Sequence, residues 1–277
     1  MAEAKVGTST FNGDYVFNYA KIFSYRHDKQ IEVTGLFAHM EIYESIGSPF
    51  MTMKMSLIDA SGMLSKTRVT GDEFIEVDCR NALGDVGIKE KQFFIYKITD
   101  REYISERGIV YVLHCISLEA LADVNTKISK SFRGQPSEIA KTILKQYIGT
   151  KNEIYTEDTK NQVEYISNYW SPIRNLKFLS DRAVAKGTNA PAYVFYETKK
   201  SFMFTSMNRL KEQPASGAYF YTFQTHDPET PEQRMAIIEK MWVDVNFDYL
   251  DRISSGAMGN RSLLVNPMTK SYTYGVS

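Results

Sequence analysis

Residues able to do chemistry are few in this chain, and their spacing does not assemble a reactive site. His39-Met40-Glu41 reproduces the H-x-E opening of a zinc deaminase, in which the imidazole binds zinc and the carboxylate moves protons. That chemistry also needs a P-C-x-x-C pair, and Cys79 and Cys115 stand far apart. Asp244, Asn246 and Asp248 have the spacing of the first calcium-loop ligands. The loop then requires Gly at its sixth position and Glu at its twelfth, where Tyr249 and Ser255 stand. His114-Cys115 offers an imidazole beside a thiol, but neighbours on a strand point to opposite faces and cannot form a nucleophile–base pair. His27 and His226 sit in polar, loop-like contexts without an evident partner. No Walker loop, strand-borne G-x-G-x-x-G or H-E-x-x-H occurs. The expectation is no catalytic residue, no cofactor-binding residue and no metal ligand.

The elements that would have to position such groups are mostly strands. Met51, Met53, Met55 and Leu57 alternate with Thr52, Lys54 and Ser56, which predicts a strand with one buried face. Met adapts to partners, so this stripe is either core or a binding surface. Gln30 to Glu44 alternates less strictly, with Ala38, Met40 and Ile42 on one face, and a SIGSP turn follows. Ile75, Val77 and Cys79 alternate with Glu76, Asp78 and Arg80, and two further strands are expected over 92–99 and 109–117. Cys115 shares its face with Ile109, Tyr111 and Leu113 and reads as a small core residue. Five closely spaced strands suggest an antiparallel barrel or sandwich.

Beyond Ser117 the periodicity turns helical. Short helices are expected from Leu118 to Ile128 and from Pro136 to Ile148, the latter with Gly149 as the stop. A third begins at the Ser171-Pro172 cap and runs to Gly187. Strands at 192–197 and 201–207 follow, and Phe202, Phe204, Tyr219 and Tyr221 read as core aromatics. Residues 218–225 look strand-like, and the Gly-, Asn- and Ser-rich last thirty residues lack a packing element. The fold class is therefore α+β and β-rich: an antiparallel barrel or sandwich with a helix-containing α+β domain after it.

Composition narrows the function. The 277 residues hold 33 Lys plus Arg against 33 Asp plus Glu, and this zero net charge argues against a general nucleic-acid coat. Two cysteines are too few for a disulfide framework. Neither a secretory signal nor a membrane-spanning apolar run is visible.

The chain resembles the central baseplate hub proteins of contractile-tailed phages (myoviruses). The matching stretches are EIYESIGSPFMTMKMSLIDASGMLSKTRVTGDEFIEVDCRN, KISKSFRGQPSEIAKTILKQY, ISNYWSPIRNLKFLSDRAVAKG, APAYVFYETKKSFMFTSMNRL and NFDYLDRISSGAMGNRSLLVNPMTKSY, in that order. The resemblance implies a structural virion protein with no enzymatic activity, made in the host cytoplasm and located in the tail baseplate. It implies a homotrimeric ring that links the tail tube, or a tube-initiating protein, to the central spike, in contact with other baseplate proteins. DNA would pass through the lumen without specific binding, and the free subunit would not engage a membrane. Family members are related in fold to spike-base proteins of contractile injection systems and carry two barrels per chain. The resemblance thus implies an antiparallel tube-type β-barrel over 1–122, the α+β domain over 123–200, and over 201–277 the start of a second barrel-like domain, beginning near 203–225, with an extended segment. Two rival readings are a peptide- or glycan-binding β-barrel module and a wall-degrading hub, which would need a carboxylate pair or zinc site.

Overall fold

Alternation of apolar and polar side chains builds one strongly curled sheet. The computed structural model of the chain describes residues 15–24, 30–60, 62, 71–81, 87–103, 108–187, 191–215, 217–221, 237–238, 240–242, 248–256, 259 and 261–276. Seven strands, β1 (Tyr15–Ser24), β2 (Gln30–Glu32), β3 (Phe37–Tyr43), β4 (Thr52–Asp59), β5 (Glu73–Asn81), β6 (Gly87–Tyr103) and β7 (Ile109–Ser117), pair in the order β2-β1-β5-β6-β7-β4-β3. All of these ladders are antiparallel. Ala20, Ile22, Met53, Met55, Leu57, Ile75, Val77, Phe93, Ile95, Leu113 and Cys115 point inward and are buried. The methionine stripe is thus core.

The two edge strands are consecutive in sequence, and this forces the curl. In a flat sheet, β2 and β3 would lie six strand spacings apart, roughly 29 Å. The link Val33–Leu36 is a single turn of 3-10 helix with one flanking residue, and its reach is about 17 Å at most even if extended. Val33 is fully buried and donates its N–H to the Ala20 carbonyl at 2.9 Å, while the Ala20 N–H donates to Thr34 Oγ1 at 3.0 Å. Phe37 at the start of β3 stacks on Phe17 of β1, ring centroids 4.0 Å apart. The expected strand over 30–44 is therefore broken at this link. A register shift between Phe37 and His39 also turns Ala38 to solvent, so Ala38 leaves the face that Met40 and Ile42 keep.

The second layer consists of α1 (Leu118–Asn125), β8 (Ile128–Gly134), α2 (Pro136–Ile143), β9 (Glu153–Thr156), β10 (Val163–Trp170), α3 (Pro172–Ser180), β11 (Tyr193–Glu197), β12 (Ser201–Ser206) and α4 (Met207–Lys211). β8 pairs with β10, and β12 lies between β11 and a parallel β9. Ile139, Ile143, Leu176 and Leu179 of the helices pack on Ile128, Phe132, Phe202 and Phe204 of the strands. α2 runs on into a π-helical turn, Leu144–Ile148, which Gly149 ends at φ 70°, a conformation that other residues adopt only with strain. Ser171 caps α3 by accepting from Arg174 N at 3.3 Å. α3 stops at Ser180 instead of Gly187, because the chain beyond it is claimed by another partner. Asn161 Nδ2 donates to the Arg182 carbonyl, Asn161 Oδ1 accepts from Val184 N, and Ala185 bridges to Thr159.

Residues 15–215 belong to one compact unit, which extends to 216, and residues 217–277 form another. Ser201–Ser206 sits inside the three-stranded sheet, so a division at 200 would cut that sheet. In the C-terminal unit, α5 (Tyr249–Ser254) is capped by Asp248, and β13 (Arg261–Asn266) forms a hairpin with β14 (Ser271–Val276). The last thirty residues thus contain regular structure, formed where Leu263, Val265, Tyr272 and Tyr274 share one face across the ladder. Tyr219 and Tyr221 are exposed, unlike the buried Phe202 and Phe204, and most of the strand expected over 218–225 lies outside the described residues. Among the described residues, no helix is long and apolar enough to cross a membrane.

Substitution on the two faces of β4 tests the core assignment. Met53→Asp or Met55→Asp places an unpaired charge in the barrel core and should destabilise by about 4 kcal/mol in urea unfolding, whereas Thr52→Asp on the other face should cost less than about 1 kcal/mol. Equal losses at both parities would contradict a half-buried strand.

Candidate functional site

The first-named candidates are dispersed by the fold. His39 and Glu41 lie on exposed β3, with Nε2 3.4 Å from Oε1. Hydrogen bonds from Tyr43 and His39 hold the Glu41 carboxyl below its ordinary range. Cys115 is buried on β7, and burial alone pushes its thiol up to about 12; Cys79 is half-buried on β5 and also raised by burial. His114 faces away from Cys115 and meets Thr99 Oγ1 at 2.7 Å. Asp248 serves as a helix cap, accepting from Asp251 N at 2.9 Å. His27, His226, Asp244 and Asn246 lie outside the described residues. Among the described residues, no cluster of three or more His, Cys, Asp or Glu could hold a metal ion.

What the fold does bring together is a buried carboxylate where the two layers of the larger unit meet. Glu197 ends β11, an otherwise apolar strand, and its side chain is fully buried. Lys91 has the strand parity of Phe93 and Ile95, so it enters from the interior side of β6 and places Nζ 2.8 Å from Glu197 Oε1. Met51 N donates to Oε2 at 3.0 Å, Ser117 Oγ donates to the same oxygen, and Asn152 Nδ2 reaches Oε1 at 3.5 Å. Ser117 opens α1, yet its hydroxyl caps nothing because Glu197 takes it. Next to Met51, Phe50 crosses into the other core and meets Phe202 edge-on at 6.4 Å. Burial raises the Glu197 carboxyl above its ordinary pKa; the Lys91 charge, then the hydrogen bonds from Lys91, Ser117 and Met51, pull it back.

Above this node lies a half-open cleft of about 440 Å³. Its walls include the consecutive residues Lys89, Glu90, Lys91 and Gln92 of β6, the loop Gly149–Asn152, and Glu119 and Lys199. A regular strand sends alternate residues to opposite faces, so four in a row need a distortion. The β5–β6 register slips between Val77 and Cys79, and Glu90 sits at φ 49° in the left-handed region. Glu119 is held by Thr150 Oγ1 at 2.8 Å and Asn152 Nδ2 at 3.2 Å. Neither motif spacing nor periodicity singles out these residues. Their one local signal is Glu197 at the end of an apolar run, where a charge is buried only if it is partnered.

Fold and site together define a β-rich α+β protein in which a curled antiparallel sheet is locked to an α+β layer. In sequence, the chain is 25% identical over 252 residues to the probable baseplate hub protein gp334 of Vibrio phage KVP40, matching 89% of this chain and 59% of that protein. The resemblance to baseplate hub proteins is thereby borne out by a relative that spans most of the chain, while the chain spans 59% of the relative's length. No protein-family model matches. Among solved structures, the chain is similar to the 43 kDa tail protein of prophage MuSo2 from Shewanella oneidensis (12% identity, 74% of this chain and 58% of that one, TM-score 0.48). It is also similar to a tail protein of Neisseria meningitidis MC58 (12% identity, 77% and 56%, TM-score 0.46).

Removing Glu197 strands a largely buried ammonium and the Met51 N–H. Glu197→Ala should therefore cost about 3 kcal/mol in thermal or urea unfolding, and Glu197→Leu with Lys91→Met should restore most of it. The pH sign follows from the raised pKa: the folded state binds the Glu197 proton more tightly than the unfolded chain does. This group's contribution is full below about pH 4.3 and is lost as pH rises through the folded value. Glu197→Gln should remove that component from a stability–pH profile, and an unchanged profile would refute it.

Proposed function

We propose that this chain is a structural subunit of a phage tail baseplate, part of the central hub that joins the tail tube to the spike of a contractile tail. The similarity to a baseplate hub protein across 89% of the chain carries this reading. In it, the seven-stranded sheet that ends at Ser117 is the tube-type barrel, the α+β layer follows it within the same unit, and residues 217–277 are a separate unit. In this reading the product of the protein is an interface rather than a reaction. Exposed Tyr43, Ile58 and Tyr96 on the outer face of the sheet suit a subunit that neighbours cover. Zero net charge suits a ring through which DNA moves without being held. The partners are further copies of this chain, the spike, the tube or its initiator, and other baseplate proteins.

Closing identical subunits around the tail axis is the cyclic solution for one self-associating surface. Cryo-electron microscopy of virions carrying this chain should find it on the tail axis in the baseplate, in three copies. A peripheral location, or a single copy, would overturn the hub assignment.

A further inference from the structure

We propose that the cleft above Glu197 binds an acidic peptide segment of a neighbouring polypeptide. Three cations on its walls, Lys89, Lys151 and Lys199, are exposed, and none makes an ion pair among the described residues. The fourth, Lys91, is already neutralised by Glu197 at the cleft floor. Against Glu90 and Glu119 on the same walls, these lysines leave one positive charge in excess, in a partly enclosed space where attraction to an anion is screened less than on an open surface.

The placement of these lysines depends on distorted backbone. The bulge in β6 and the left-handed Glu90 present Lys89 to the same space as Lys91, and left-handed Gly149 starts the loop that brings Lys151 to the opposite wall. A left-handed conformation at a residue other than glycine, as at Glu90, persists only where the surroundings hold it, and such residues and bulges concentrate at binding sites.

The wall chemistry favours a peptide over a nucleic acid. Glu90 and Glu119 lie among the lysines, so an unbroken row of phosphates would meet two carboxylates. A peptide can set its own carboxylates against the lysines and a backbone N–H or hydroxyl against Glu90. At about 440 Å³ the cleft takes a few side chains and falls within the range of ordinary ligand sites. This inference is independent of the hub reading, since a subunit located elsewhere would still carry the cleft.

The test is fluorescence anisotropy with a labelled peptide of alternating Glu and Ser, at low salt where exposed charges are weakly screened. Lys89→Glu, Lys151→Glu and Lys199→Glu combined should weaken binding by about tenfold or more. The same charge change at Lys54, Lys130 and Lys177, exposed positions outside the cleft, should leave binding within about twofold. Gln replacements at the three cleft positions should give an intermediate loss with an unchanged melting curve, which separates lost binding from lost folding. No binding by the unaltered protein, equal loss in both charge-reversed sets, or tighter binding of a single-stranded oligonucleotide of equal charge would overturn the proposal.

Discussion

The short tether between β2 and β3 governs the architecture of the larger unit. A seven-stranded sheet whose edge strands are consecutive in the chain cannot lie flat, since its edges must come within the reach of Val33–Leu36. The sheet rolls, its inner face closes on the methionines of β4, and the Phe17–Phe37 stack seals the corner where hydrogen-bond pairing ends. The adjacency of β6, β7 and β4 in this sheet sets their ends side by side, where the α+β layer docks.

Docking there has an electrostatic peculiarity. Phe50 and Met51 are adjacent, yet one packs in each hydrophobic core. The step between the cores exposes backbone and a strand end, and Glu197 fills that gap with a carboxylate satisfied by donors from β6, β7, the Met51 backbone and the Asn152 loop. Burial raises the carboxyl pKa despite Lys91, so the pair adds little net stability. Its value is orientation. A carboxylate that only this arrangement satisfies penalises any other docking angle.

Rigid coupling of the layers bears on the proposed role, that of a subunit acting through its surfaces. An assembly protein must hold neighbouring patches at fixed relative positions, and both the exposed aromatic positions on the sheet and the lysines of the cleft are referenced to the same joint. The bulged β6 belongs to both: its inner residues fill the core, Lys91 reaches the joint, and Lys89 faces the cleft.

Local pattern alone determined the strand character of the first third, the burial of Met53, Met55, Leu57 and Cys115, the Ser171-Pro172 cap and the stop at Gly149, because each depends on side-chain period or backbone preference within a few residues. The order of motifs also disclosed the likeness to baseplate hub proteins. Tertiary structure decided the rest. It recruited β1, whose alternation is blurred by a bulge near Asn18, and split the run at 30–44 where the rolled edges meet. It ended α3 early by offering Asn161 as a partner, and it paired Ser201–Ser206 with a strand some fifty residues earlier. Above all it joined Lys91, Ser117, Asn152 and Glu197, which no periodicity links. A charge is buried only where distant partners meet it, and their meeting is a property of the folded chain.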